Sequence, residues 1–224
     1  MEVRAEFHHS SDMDVRKPIN WKRRVEFCGE YGVLGDLGIH TQHIPFRMEW
    51  IPRSVCASLS KIVTERPDGK GGTAACDTWD NATLLCTVDH REGYSFPMFL
   101  ETKRMAPGMT NTWYIEIDGL AASMRFSTRD PKSFHYLVSA EKEQAWCRLD
   151  LGYTPAVPTI TGSIFEFGFS DYLLQMWAAF LLEMERGRPT VFGCFTPEET
   201  RLSHALLTAA LRSNEKGSVE KLDL

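Results

Sequence analysis

The 224-residue sequence lacks the features of two large classes of protein. No apolar run approaches the ~20 residues that a bilayer-spanning helix needs, since the longest candidate, residues 172–182, is short and contains Gln175. Basic residues do not dominate the charge either, because 25 Lys and Arg stand against 30 Asp and Glu, a net charge of −5. The sequence therefore predicts neither a membrane protein nor a nucleic-acid-binding protein, which would carry a basic face.

Cysteine motifs are absent as well. No two of the six cysteines are three residues apart, so the sequence has no C-x-x-C pair of the kind found in zinc and redox sites. Scattered cysteines of this kind are typical of small buried side chains in a reducing compartment. The first residues also lack the apolar segment of a signal peptide. We therefore expect a cytoplasmic protein.

Nucleotide-binding motifs are missing too. No G-x-G-x-x-G follows a predicted strand, and Gly69-Lys70-Gly71-Gly72 lacks the remaining residues of a P-loop. No βαβ unit opens the sequence, because residues 2–8 alternate as a strand and a polar irregular segment follows. We predict no cofactor-binding and no metal-binding residues. A chain that begins directly on a strand is also expected to be truncated, with an upstream part missing.

What is present is a run of strands followed by helices. Short links between the strands favour antiparallel pairing. We therefore predict one α+β domain over residues 1–224, with a large, mostly antiparallel open sheet covered on one face by helices. The other face of the sheet is a candidate oligomer surface. Segments rich in β-branched and aromatic residues, separated by polar turns, predict strands at residues 2–8, 54–64, 73–77, 82–88, 94–103, 112–117, 121–127 and 144–149.

The helical pattern is confined to three segments. Pro45 is expected to kink or end the first, because proline has no backbone N–H. Ser170 is the predicted cap of the second, and the capping box at residues 196–199 opens the third. The apolar spacing predicts helices over residues 33–44, 171–186 and 197–216.

The densest group of polar residues lies on the first of these helices. Asp36 and His40 are four residues apart and share a helix face, and His43 extends the same stripe. A carboxylate beside an imidazole fixes its tautomer and supports its cationic form, which suits a pair that binds hydroxyls and moves a proton. On spacing alone, a helix cap beside a surface histidine is the more common arrangement. A metal site of Asp36, His40 and His43 is the weaker alternative, since the sequence shows no further ligand cluster.

Two other places are candidates for contacts with a polar ligand. Trp21 and Lys22 combine a flat apolar ring with a cation, although a core tryptophan beside solvated bases is equally consistent with the pattern. His9, at the end of the first strand, is placed to line a cleft, although an exposed strand end is more common.

These residues together resemble a known family. The segment Gly35-Asp36-Leu37-Gly38-Ile39-His40, with its glycine-rich lead-in, resembles the G-x-x-x-D-x-x-x-H-x-x-D motif of the Gfo/Idh/MocA oxidoreductases, in which His43 here replaces the last Asp. Four further segments resemble the family in the same order along the chain. They are Trp21-Lys22, the stretch 78–82, the hairpin 117–126 and the ending 196–199.

The resemblance implies that the chain matches only the C-terminal α/β domain of a two-domain enzyme. Family members carry NAD or NADP and a catalytic lysine in an N-terminal Rossmann domain, which this chain lacks. The full protein is then expected to transfer a hydride between the nicotinamide and a sugar or cyclitol hydroxyl. This chain alone is expected to carry no cofactor and to be inactive, and to form a homo-oligomer through its sheet face.

The resemblance also implies roles for the candidate residues. Asp36 and His40 take the catalytic positions. The resemblance leaves the role of His43 open, because the family has Asp at that position. We predict that His43, Trp21, Lys22 and His9 bind the substrate. Two alternatives remain at this point, a standalone ligand-binding or oligomerisation module and a metal-assisted carbohydrate enzyme that uses Asp36, His40 and His43.

Overall fold

The computed structural model describes residues 1–139, 144–152, 154–158, 168–189 and 193–224. The strands in these ranges are β1 Glu2–His8, β2 Pro52–Ser60, β3 Glu65–Pro67, β4 Thr73–Ala75, β5 Asn81–Asp89, β6 Ser95–Lys103, β7 Thr112–Asp118, β8 Ala122–Ser127, β9 Ser133–Val138, β10 Cys147–Asp150 and β11 Glu220–Lys221. The α-helices are α1 Val25–Cys28, α2 Ile39–Arg47, α3 Phe169–Arg186 and α4 Pro197–Lys216. A 3₁₀ turn at Trp21–Arg23 precedes α1, and a π-helical turn at Leu34–Gly38 leads directly into α2.

Nine of the described strands form one open sheet in the order β10-β9-β8-β7-β1-β6-β5-β2-β11, and β3 pairs with β4 separately. Within the described residues, β1 and β6 form the one parallel pair in the large sheet, and its other pairs are antiparallel. Short hairpins join β3 to β4, β5 to β6, β7 to β8 and β8 to β9, whereas β1 enters the middle of the sheet from a distant part of the chain. The predicted α+β fold with a mostly antiparallel sheet is therefore confirmed.

The period of two along the central strands decides which face is buried. In β1, Val3 and Ala5 are fully buried, while Arg4 between them is exposed. The buried set on β6 is Met98 and Leu100, which continue the same layer. Leu206 and Leu207 of α4 are buried against this core, and α2 lies over β1 and β6. Helices α2 and α4 therefore cover one face of the sheet, as predicted.

Several element boundaries differ from the predicted ones. Helix α2 continues through Pro45 to Arg47, because a proline in the last turn removes one hydrogen bond while the helix is about to end in any case. Helix α3 is capped at Gly168 rather than Ser170, and the Gly168 N–H donates to the Asp171 carboxylate at 2.7 Å. The predicted strand 54–64 ends at Ser60. Helix α4 begins at the predicted capping box and ends at Gly217.

None of the helices in the described part of the chain combines the length and the apolar character that crossing a bilayer requires.

Candidate functional site

The candidate site is built where the C-terminal ends of β1 and β6 meet the π-helical turn. Because β1 and β6 are parallel, the residues at and just after their ends, from His8 to His9 and from Lys103 to Arg104, arrive at the same edge of the sheet. The His9 N–H donates to the Lys103 carbonyl at 2.9 Å and holds the two strand ends together. Asp36 lies in the π-helical turn above this edge.

Asp36 is held by two cations. Lys22 Nζ lies 2.9 Å from Asp36 Oδ1, and Arg104 Nη2 lies 3.1 Å from Asp36 Oδ2. Partial burial on its own raises the pKa of this carboxyl, but the hydrogen bond from Lys22 and the charge of Arg104 outweigh it and hold the pKa below its ordinary value. Asp36 is therefore ionised at neutral pH.

Arg104 belongs to the candidate site and was not among the residues predicted from the sequence. Its side chain is 1% exposed, and it donates to the carbonyls of Lys22 and Gly32 as well as to Asp36. The signal was present, because Arg104 continues the inward-facing alternation of Leu100 and Thr102 on β6. An arginine placed on an inward register must be paired with an anion, since an unpaired buried charge is very costly.

Glycine is required in the chain that leads into the π turn. Gly32 has a φ of +55°, and a Cβ on it would lie 2.7 Å from the backbone nitrogen of Trp79. The Gly32 carbonyl accepts from both the Arg104 guanidinium and the Asp36 backbone N–H. The glycine thus allows two backbone segments to approach closely and orients a carbonyl toward Arg104.

His40 lies on the first turn of α2. Its ring packs edge-on against Phe7 of β1 with 5.2 Å between the ring centres, and the Trp113 indole N–H donates to the His40 carbonyl at 2.8 Å. The side chain remains exposed on one side. Partial burial lowers the pKa of His40, and the negative charge of Asp36 counteracts only part of that effect. The imidazole is therefore neutral at pH 7 and accessible to a ligand.

His43 is the second imidazole of the site. Its ring centre lies 6.2 Å from that of His40 and 4.5 Å from that of Phe195, just before α4. Burial lowers the pKa of His43, and the charges of His40 and Arg47 act in the same direction. Two neutral histidines thus lie side by side on one face of α2.

The expected pairing of Asp36 with His40 is not formed. In the described structure the hydrogen bonds of the Asp36 carboxylate go to Lys22 and Arg104, and Asp36 acts on His40 as a nearby charge. The helical-wheel argument considered only neighbours on the same helix, whereas residues 34–38 form a π turn whose Asp36 carboxylate meets partners from other elements. The two cations then provide stronger partners than a neutral imidazole.

His9 and Trp21 both lie near the Lys22–Asp36 pair. The pKa of His9 is lowered, chiefly by burial, and the charges of Asp36, Lys22 and Arg104 all act on it, so it belongs to the same electrostatic cluster. His9 Nδ1 lies 2.8 Å from the Ser11 hydroxyl. Trp21 is 58% exposed, and Lys22 Nζ lies 5.6 Å from its ring centre.

A buried ion pair fixes the segment that carries Trp21 and Lys22. Arg23 is 1% exposed and pairs with fully buried Asp80, and it also lies 2.7 Å from Asp12. The Asp80 carboxylate accepts in addition from the Val63 N–H at 2.9 Å. Asp80, which lies in a motif that the sequence analysis singled out, therefore has a structural role.

The structure does not assemble the alternative metal site. Asp36, His40 and His43 do not bring three ligand atoms together in the part of the chain that is described. The group that does so consists of Glu6, His8 and Glu101, with ligand atoms within 4.8 Å of one another, on the opposite face of the sheet. These carboxylates are paired with His8 and with Lys103, whose Nζ lies 2.6 Å from Glu101.

The described residues do not fit a dinucleotide. In a dinucleotide-binding Rossmann fold, the phosphates bind at a glycine-rich turn between a parallel strand and a helix. In this chain β1 is followed by an irregular polar segment instead. A cavity of about 550 Å³ lies elsewhere, between residues 156–158 and the C-terminal part of α3, and none of the site residues lines it. The site is thus a set of accessible polar groups suited to hydroxyls.

Comparison with solved structures identifies the fold. The chain superposes on levoglucosan dehydrogenase in complex with NADH and L-sorbose with a TM-score of 0.80 and 18% identity, over 99% of this chain and 58% of that one. It matches an oxidoreductase domain protein from Kribbella flavida (TM-score 0.81, 21% identity, 100% of this chain and 58% of that one). A third match is an NAD-binding oxidoreductase from Klebsiella pneumoniae, with a TM-score of 0.80 and 18% identity over 100% of this chain and 59% of that one.

These matches confirm the fold that the Gfo/Idh/MocA resemblance implied. The chain spans about 58% of the length of the solved chains it resembles. No protein-family model and no curated protein matches the sequence. At this level of identity the comparison shows a shared fold, and the site has to be argued from its own residues.

Proposed function

We propose that this chain is the substrate-binding domain of an NAD(P)-dependent oxidoreductase that transfers a hydride between the nicotinamide and a sugar or cyclitol hydroxyl. The observation that carries the proposal is the placement of two neutral imidazoles, His40 and His43, beside the Lys22–Asp36 pair in the fold of a sugar dehydrogenase. A sugar presents several hydroxyls at once, and this cluster offers several donors and acceptors in return.

His40 is the proposed proton-handling group. It is neutral and accessible, so it can accept a hydrogen bond from a substrate hydroxyl or donate one to it. Asp36 stays ionised, and its negative charge already raises the pKa of His40, so it would stabilise the imidazolium formed when a proton arrives. Asp36 therefore assists His40 through its charge rather than through a hydrogen bond.

The remaining site residues are proposed to bind the sugar. The Lys22 ammonium is partly exposed and has donors to spare beyond Asp36. The exposed Trp21 ring offers an apolar face to the C–H groups of a pyranose or cyclitol ring. His43, beside His40, and His9 add further neutral acceptors to the set.

NAD or NADP and the catalytic lysine are proposed to come from a separate dinucleotide-binding domain. The cofactor supplies the hydride chemistry, and this chain supplies position and polarity. Residues 1–224 then act as one substrate-binding and oligomerisation domain, which is inactive alone and associates with further copies through the open face of its sheet. All six cysteines are free thiols, which suits a reducing, cytoplasmic location.

Binding of polyols to the isolated chain tests the proposal. Levoglucosan, L-sorbose and inositol are titrated and followed by NMR chemical shifts and isothermal calorimetry. We expect saturable binding that weakens about tenfold in His40→Ala, because a tenfold change corresponds to ~1.4 kcal/mol, the scale of one or two lost hydrogen bonds. His135→Ala, in β9 and outside the site, is the matched control and leaves binding unchanged. Equal affinity in the two variants, or no binding of any polyol, overturns the assignment of His40.

A second experiment tests the proposal that a separate domain carries the cofactor. NADH and NADPH are added to the isolated chain in a thermal-unfolding assay. We expect no shift of the midpoint, because the described residues form no phosphate-binding turn. A concentration-dependent stabilisation by either nucleotide contradicts the proposal that a separate domain carries the cofactor.

A further inference from the structure

Helix α3 faces its own protein with its polar and small side chains and presents its large apolar side chains outward. Asp171, Gln175, Ala178, Ala179 and Leu182 are half-buried. Gln175 exchanges two hydrogen bonds with the backbone of Val157, at 3.0 and 3.1 Å. The outward apolar residues share one side of the helix and are Leu173, Leu174, Met176, Trp177, Phe180, Leu181 and Met184.

This outward surface, the α3 face, is unusually apolar for a protein surface. Its seven side chains are 42–66% exposed, and at 100° per residue they cover an arc of about 160° of the helix. Taking ~200 Å² for a fully exposed large apolar side chain, they present roughly 750 Å² to solvent. A contiguous patch of that size exceeds what a monomer ordinarily exposes and indicates an interaction site.

We propose that the α3 face is a dimer interface with a second copy of this chain. Two antiparallel α3 helices related by a two-fold axis would bury their faces against each other, so that each apolar surface covers its equivalent. The available area agrees with this occupant, because a stable protein interface buries about 800 Å² on each partner. Trp177 lies at the middle of α3, near the axis, and already packs edge-on against Phe180 with 6.1 Å between ring centres.

The composition of the α3 face distinguishes a second copy from other occupants. Permanent homodimer interfaces are the most apolar class, whereas surfaces between domains of one chain are more polar. A membrane surface is disfavoured, because helices that bind anionic lipids carry Lys and Arg on the polar side. The acidic residues of α3, Asp171, Glu183 and Glu185, outnumber its single basic residue, Arg186. This interface is distinct from the open sheet face, which carries charges such as Arg4, Glu6 and Glu116.

Sedimentation equilibrium tests the proposal on the full chain. The mass is measured over roughly 1–100 μM, the range in which a micromolar dimer dissociates. We expect the double variant Trp177→Lys, Leu181→Lys to halve the number of subunits relative to the parent chain. Leu120→Lys, which changes an 88% exposed leucine in the β7–β8 turn, is the matched control and leaves the mass unchanged. A third variant, Leu85→Lys, places a charge on the open sheet face and tests the alternative interface there.

Each outcome decides between the interfaces. A parent chain that stays monomeric, or a mass that the α3 variant leaves unchanged, overturns the proposal. Dissociation by Leu85→Lys alone supports the sheet interface of the proposed function and overturns this one. If the double variant does not fold, the interface is tested instead by measuring amide hydrogen exchange in the parent chain at several concentrations. Amides of residues 169–186 should exchange more slowly as the concentration rises, whereas protection that needs lipid vesicles or is independent of concentration contradicts a second copy.

Discussion

Arg104 and Asp36 are 68 residues apart in the sequence and form a salt bridge of 3.1 Å at the centre of the candidate site. The arginine is 1% exposed and the aspartate side chain 23% exposed, so the pair lies where the sheet edge meets the π turn. Lys22 donates to both oxygens of the same carboxylate from a more exposed position, 41% of its side chain being open to solvent. The two cations therefore share one anion but differ in burial.

This difference predicts unequal effects of removing them. We expect Arg104→Met to lower the free energy of unfolding by about 2–4 kcal/mol, because it leaves a carboxylate and two carbonyls without their buried donor. Lys22→Met removes a partly exposed charge, and exposed pairs are worth about 1 kcal/mol or less. Urea denaturation of both variants measures the difference. Equal losses contradict the assigned difference in burial.

Gly32 and Gly217 form a natural comparison for backbone strain. Both have a positive φ, but a Cβ on Gly32 meets Trp79 at 2.7 Å and a Cβ on Gly217 meets nothing within 4 Å. We expect Gly217→Ala, in the ordinary left-handed region, to cost about 1 kcal/mol, and Gly32→Ala to cost roughly 3 kcal/mol because the backbone must also move. Thermal unfolding distinguishes them, and polyol binding should weaken in Gly32→Ala only. A Gly32→Ala protein as stable as Gly217→Ala argues against the close approach.

The lowered pKa of Glu101 predicts that the folded state loses stability in acid. The hydrogen bond from His8 is the main reason that the pKa of Glu101 falls to about 2, and Lys103 acts in the same direction against burial. Because the folded pKa lies below the ordinary 4.5, this stability is present above about pH 4.5 and is lost as the pH falls toward 2. We expect Glu101→Gln to flatten the dependence of the unfolding free energy on pH between 3 and 5. Asp150→Asn, on the exposed strand β10, should leave the slope as it is.

The lowered pKa values of His40 and His43 predict a second pH dependence of the free energy of unfolding, at higher pH. Burial lowers the pKa of both imidazoles below the ordinary 6.5, so the folded state resists protonation while the unfolded state accepts it. Above about pH 6.5 both histidines are neutral in the folded and the unfolded state, so they do not change the free energy of unfolding. Below that value the unfolded state binds protons first, and the folded state loses stability. The double variant His40→Gln, His43→Gln should lose less stability between pH 7 and 5 than the parent chain. An identical slope contradicts neutral histidines.

The sequence by itself determined the three long helical segments, most of the strands, the class of the fold and the position of the capping box at α4. It did not predict the short helix α1 or the strands β3, β9 and β11. Alternation and capping are local, so Val3 and Ala5 point to the core and Thr196 opens a helix whatever the partner strand. It also placed His9, Lys22, Asp36 and His40 among the candidates that the structure brings to one sheet edge.

Only the tertiary structure decided which of these groups interact. The parallel pairing of β1 with β6 brings Arg104 beneath Asp36, and no local pattern specifies which strands become neighbours. The carboxylate of Asp36, in the π turn, hydrogen-bonds to Lys22 and Arg104 rather than to His40, and both partners come from other elements of the fold. The outward turn of the α3 face was likewise hidden in the sequence, since an apolar stripe predicts a buried surface but does not say whether the same chain provides the cover.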